Sequence, residues 1–202
     1  MIKFENFYVK FVNEFYSVFD ANFIINNNTI LVEKNLCGCT AIFRTLTKLL
    51  NDYQGEIFID ETNLKTLPKK NLDIAFLPEN FILFNNKSIK SNLEFPLKIR
   101  KINKKIRKNA VNSIFSRYNL NKFDKNIKNL STTEKKIICL LRTYIRKPKY
   151  VLMENFFENF DEKYIEFACE ILEDLKKNST LIVSEKTSVN LNHFKDFDIL
   201  EI

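Results

Sequence analysis

Thr29-Ile30-Leu31-Val32 is a compact β-branched run, and Asn35-Leu36-Cys37-Gly38-Cys39-Thr40 follows it almost at once. A helical pattern comes next, with Ile42, Phe43, Leu46, Leu49 and Leu50 on one side. Strand, short glycine-bearing loop and helix form the layout of a phosphate-binding loop, where free N–H groups at a helix start face an anion. The same tetrapeptide, Cys37 to Thr40, also fits an ordinary strand-to-helix turn with no ligand, so both readings stand.

On the N-terminal side of this unit, Ile2 to Val9 and Phe19 to Ile25 read as strands, with a turn at Asn26-Asn27-Asn28 leading into a strand over Thr29 to Glu33. On the other side, Tyr53 to Asp60 reads as a turn feeding a strand, and Asp73 to Leu77 as a strand that stops at Pro78. From Asn85 to Arg146 the pattern is helical and basic, with helices expected at 87–94, 103–118 and 133–146. Strand and helix then alternate: Tyr150 to Met153, a helix over 162–177, Thr180 to Val183, and Asp198 to Ile202. Within 162–177, Ile165, Ala168, Ile171, Leu172 and Leu175 recur at core-facing helical spacing. Short apolar strands alternating with helices predict a largely parallel sheet covered on both faces, an α/β fold.

Composition narrows the chemistry. Two hundred and two residues make one domain, or one domain with a lobe inserted in it. With only 2 Gly, a dinucleotide fingerprint of three glycines in six positions is excluded. With only 1 His, an HExxH zinc site is excluded too, and a Ser-His pair would need His193. The 4 Cys form no pair of CxxC-like motifs, so no zinc site is expected, and Cys139 and Cys169 sit alone in helical patterns. No haem site is expected. No signal peptide and no apolar run long enough to cross a bilayer are read, and the thiols point to a reducing, cytoplasmic compartment. The net charge of +7 is spread along the chain and indicates an anionic partner only weakly.

The order of segments resembles the nucleotide-binding subunit of an ATP-binding-cassette (ABC) transporter, nearly end to end. MIKFENFYVKF resembles the family's first strand and puts Phe11 where an aromatic stacks on adenine. YQGEIFID resembles the hairpin after the phosphate-loop helix, with Gly55 in place. FLPENFILF and SIKSNLEFPLKIR resemble the Q-loop region and the start of the helical lobe. LSTTEKKIICLLRTYIRKPKYVLMENFFENFD resembles the signature motif, its helix and the run through Walker B to the D-loop. TLIVSEK and FDILEI resemble the switch strand and the strand after it. The fold implied is a P-loop NTPase-like ABC ATPase domain over 1–202: a mainly parallel core sheet, an antiparallel N-terminal β-subdomain and a helical lobe near 85–147.

Laid on this frame, each catalytic motif departs from its pattern. A GxxxxGK[ST] loop cradles phosphate with backbone N–H groups, reaches it with its Lys and holds Mg²⁺ with its hydroxyl. The chain reads Glu33-Lys34-Asn35-Leu36-Cys37-Gly38-Cys39-Thr40, so Gly38 and Thr40 match while Cys39 replaces the lysine and Glu33 the first glycine. Losing that charge-assisted bond lowers ATP affinity by about tenfold or more. The Q-loop glutamine falls on Glu79, which can still ligate Mg²⁺, and the Walker B pair on Glu154-Asn155. Asn155 cannot take a proton from water, so the general base is missing. The switch histidine falls on Glu185, which repels a γ-phosphate. The signature glycines fall on Thr132 and Thr133, whose β-branches block close backbone approach. Ser131 and the D-loop Asp161 are kept.

The resemblance therefore implies a degenerate cassette, with weak ATP and Mg²⁺ binding at most and no hydrolysis of its own. Its expected partners are a membrane permease and a second cassette, a heterodimer in preference to a homodimer, which would place it on the cytoplasmic face of a membrane. Two rivals stay open: an active ATPase, and an ABC-fold protein-binding scaffold without enzyme activity. Phe11 also reads as a core aromatic, and Glu154 as a salt-bridge partner. His193 reads as a surface residue. Phe156, Phe157 and Phe160 replace small residues around the D-loop and suggest an apolar patch facing the second cassette. The basic run Lys98 to Lys108 lacks the interleaved aromatics of a nucleic-acid binder; a solvated face, or one near anionic lipid headgroups, is the reading.

Overall fold

A computed structural model of the chain describes residues 1–12, 15–32, 38–123, 126–186 and 188–202, with backbone alone at 11–12, 15–16 and 188–189. The elements run β1 (Ile2–Val12), β2 (Phe15–Ile25), β3 (Thr29–Val32), α1 (Gly38–Leu46), β4 (Tyr53–Ile59), β5 (Thr62–Asn63), β6 (Ile74–Leu77), α2 (Ile89–Ile99), α3 (Lys104–Arg117), α4 (Thr132–Arg146), β7 (Tyr150–Glu154), α5 (Ile165–Lys176), β8 (Thr180–Ser184), α6 (Ser188–Leu191) and β9 (Asp198–Glu201). The chain divides into two compact units. One comprises 1–78, 149–158 and 180–202, the other 79–148 and 159–179.

The first unit carries both sheets. Strands β6-β7-β8-β3-β9 form a wholly parallel sheet, as the continuous apolar runs predict, and β2-β1-β4-β5 an antiparallel one. Helix α1 lays Ala41, Ile42, Phe43 and Leu46 into a core shared with Ile2, Phe4 and Phe7 of β1 and Leu152 of β7. Each of the larger side chains contributes about 1.5–3 kcal/mol by leaving water. Gly55 lies opposite a bulge in β1, where pairing steps from Glu5↔Glu56 to Tyr8↔Gln54. Its φ is 82°, and a Cβ there would stand 2.0 Å from the Asn6 carbonyl oxygen, so only glycine fits.

Several boundaries differ from the sequence reading. β1 and β2 form a hairpin of two 11-residue strands, longer than Ile2–Val9 and Phe19–Ile25 suggest, because polar Lys10, Asn13 and Glu14 hide the alternation. Helix α1 stops at Leu46, since Lys48 takes a left-handed φ of 54° and breaks the run; Leu49, expected on the core face, is 60% exposed. Helix α2, expected to end at 94, runs through Pro96 to Ile99, held by buried Leu93 and Leu97.

The second unit is helical and holds α2, α3, α4 and α5. In it Asp174 of α5 is buried and accepts from the Tyr118 hydroxyl (2.6 Å), Lys177 (2.7 Å) and the Arg117 guanidinium. Burial pushes its carboxyl up, but the Lys177 and Tyr118 bonds and the Arg117 charge outweigh this and hold it below the ordinary 3.8. The contribution to stability is thus present above pH 3.8 and is lost as pH falls through the lower folded value. Asp174→Asn is expected to cost about 2–3 kcal/mol. That is less than a fully buried pair because both cations are half in solvent, and denaturant midpoints at neutral pH measure it.

Candidate functional site

The carboxyl end of the parallel sheet brings β3, β7 and β8 together, and the candidate side chains of the first unit gather there. Gly38 opens α1 with its Cα against β2. A Cβ would meet the Ser17 carbonyl oxygen at 3.2 Å, tighter than ordinary contact, so the position favours glycine for space. Residues 33–37, which would complete a phosphate cradle, lie outside the described set, as does the side chain of Phe11 on β1.

Thr40 projects from the first turn of α1 and donates its hydroxyl hydrogen to a carboxylate oxygen of Glu154, the last residue of β7. A hydroxyl and a carboxylate held together at the end of a strand form a hard oxygen donor set that suits Mg²⁺. Cys39 does the opposite of a phosphate clamp. It is buried, with its Sγ 3.6 Å from the Leu31 carbonyl oxygen, turned back into the core. Among the described residues the remaining thiols are Cys139 and Cys169, and burial raises both, Cys139 to about 11.

Asn155 follows Glu154 with a left-handed φ of 47°, and its N–H donates to the Ser184 carbonyl oxygen (2.8 Å). Asparagine tolerates that backbone better than most residues, so the position has a conformational reason of its own. The Glu185 carboxylate accepts from the Phe157 N–H (3.0 Å) and the Asn190 amide (3.2 Å), which ties the turn after β7 to α6.

Phe156 and Phe157 correct the expectation of an exposed patch. They are 4% and 3% exposed. The Phe157 ring packs on Phe156 (5.2 Å), Phe194 (5.6 Å) and His193 (4.5 Å). They are large because they fill the core beside β7. His193, expected at the surface, is half-buried in the same cluster, and burial holds its imidazole below the usual histidine range.

In the second unit Ser131 caps α4. Its hydroxyl accepts from the Glu134 N–H (3.2 Å), and Glu134 accepts in return from the Ser131 N–H (2.8 Å). Ser131-Thr132-Thr133-Glu134 is a capping box, a signal that the sequence carried and that the reading above did not use. Thr132 is exposed, whereas buried Thr133 accepts from the Asp161 N–H (3.0 Å). The Asp161 carboxylate pairs with Lys163 (2.8 Å), which holds it below the ordinary range. Glu79 opens this unit, half-buried, directly after Pro78.

A parallel sheet with a helix following β3 at its carboxyl end, a threonine on that helix and an acid on β7, one strand removed from β3, defines a P-loop NTPase-like protein. The ABC transporter family matches residues 20–157, and the chain belongs to it. The Fe(3+) ions import ATP-binding protein of Mannheimia succiniciproducens is 26% identical over 177 residues, 86% of this chain and 49% of that protein. The molybdate/tungstate import ATP-binding protein of Methanocaldococcus jannaschii is 24% identical, over 77% of this chain and 54% of its own length. The chain thus spans about half the length of these curated relatives. The ATP-binding cassette MJ0796, solved as a dimer in a post-hydrolysis state with ADP and Pi, superposes with a TM-score of 0.82 at 18% identity, over all of this chain and 94% of that one. The fold is that of an ABC ATPase.

Proposed function

We propose that the chain is a degenerate nucleotide-binding subunit of a membrane transporter, working beside a permease and a second, competent cassette on the cytoplasmic face of the membrane. The observation that supports it most is the contrast within one helix turn: Thr40 keeps its contact with Glu154 while Cys39 buries its thiol against Leu31. Thr40 and Glu154 would hold Mg²⁺, which supplies charge neutralisation for phosphate when bound, and the resemblance assigns Glu79 of the other unit to the Q-loop position as a further carboxylate ligand. Gly38 and the N–H groups opening α1 would orient phosphate oxygens, and the resemblance assigns the adenine platform to Phe11, whose side chain lies outside the described residues. Cys39 stands where the lysine would, and Lys34, the one lysine of the same loop, lies outside the described residues. Asn155 can orient a water but cannot accept its proton, and Glu185 spends its carboxylate on Phe157 and Asn190.

Mg²⁺-ATP is expected to bind in the high micromolar to millimolar range, and Cys39→Lys to tighten it about tenfold to a hundredfold. Thr40→Ala should weaken it further. Titration calorimetry on the three proteins reads this, and equal affinities would mean an ordinary strand-to-helix turn. The partner follows from symmetry. Two copies of this chain would set Thr132-Thr133 opposite Cys39-Thr40 twice, whereas a second cassette with intact motifs completes one site using Ser131 and Asp161. A native complex holding two copies of this chain and no other cassette would contradict the heterodimer.

A further inference from the structure

We propose that the α2–α3 corner is a lipid-contacting surface that seats the anionic headgroups of a bilayer. It rests on these two helices alone and not on the nucleotide reading. The segment from Lys98 to Lys108 contains no acidic residue. Two of its cations are already committed: Arg100 donates to the Arg146 carbonyl oxygen (2.8 Å), and Arg107 pairs with Glu94 (2.8 Å). Lys98, Lys101, Lys104, Lys105 and Lys108 are exposed, and among the described residues none has a carboxylate at ion-pair distance. Lys98, Lys104 and Lys108 also line an open cavity of about 360 Å³, room for a phosphate group and its glycerol. Glu94 in that cavity is neutralised by Arg107, so the net field there is positive.

Charge alone would describe any polyanion site. The apolar groups between the lysines decide the class. Ile99 and Ile106 are 65% and 60% exposed. A β-branched aliphatic side chain left in water among lysines suits the headgroup–acyl boundary, where it enters the apolar layer while the ammonium groups reach back to phosphate. A nucleic acid would gain from stacking rings; the segment 98–108 has none, and Phe95, which lines the cavity, is half-buried with its ring packed on Phe84 (4.5 Å).

Co-sedimentation of the purified full chain with phosphatidylcholine vesicles, pure or carrying about 30 mol% phosphatidylglycerol, tests this. Binding is expected to the anionic vesicles only. Lys104→Gln with Lys108→Gln should lower the partition coefficient about 30-fold. Ile99→Ser with Ile106→Ser should lower it about tenfold, at low and high salt alike. Lys69→Gln with Lys70→Gln, which removes the same charge from exposed positions in the other unit, should change it less than about twofold. All these sites are exposed, and thermal melts confirm folding of each variant. Equal binding to neutral vesicles, or equal weakening by the Lys69/Lys70 pair, would overturn the proposal. So would displacement by inorganic phosphate at matched ionic strength, which indicates a discrete ion site. Tighter lysine-dependent binding to duplex RNA than to vesicles would also overturn it.

Discussion

ATP hydrolysis by the purified chain is expected to stay at background, and Asn155→Glu is expected to leave it there. A positioned general base is worth about 10²–10⁴ in rate, and a charge clamp on the transferring phosphate adds a comparable factor. On the function proposed above both positions are altered, and Glu185 takes the place of the switch residue. Groups that act as a unit are not additive, so returning one of them regains little. The structure adds a second obstacle. Position 155 is left-handed, and glutamate pays about 1 kcal/mol more than asparagine for that backbone. A coupled phosphate-release assay on both proteins reads the outcome; robust turnover by the wild type would refute the degenerate reading.

Phe157→Glu is expected to abolish folding. The ring is buried against Phe156, Phe194 and His193, and a carboxylate there would give up its water for an environment built mainly of aromatic rings. Phe157→Ala removes the ring without adding charge and should cost about 3–5 kcal/mol, enough to take much of a typical domain's stability. Circular dichroism and denaturant melts separate the two. A folded Phe157→Glu protein of near wild-type midpoint would return the side chain to the surface.

These two cases mark where the sequence was legible. Gly38, Thr40 and Glu154 could be placed because strand–loop–helix order and spacing fix which residues end at the same sheet edge. The parallel sheet followed from Tyr150 to Met153 and Thr180 to Val183, whose unbroken apolar runs suit strands covered on both faces. Phe156 and Phe157 were misplaced because a phenylalanine pair after a strand reads the same whether it faces a partner or its own core. Only the rings of Phe194 and His193, remote in sequence, decide between them. Glu185 was equally opaque: its partners are a backbone N–H and the Asn190 amide, which no spacing rule announces. The Ser131–Glu134 box was legible and local.

The strand order also sets a timetable. β3 pairs with β8 and β9, so Ile30 must wait for Val183 and Ile199, about 150 residues later, before its backbone is satisfied on either side. At roughly 5–20 residues per second, a ribosome leaves that strand bare for about 8–30 s, while the helices of 79–148 have already left it. During that interval the exposed Thr29–Val32 edge is the segment most open to pairing with another nascent chain.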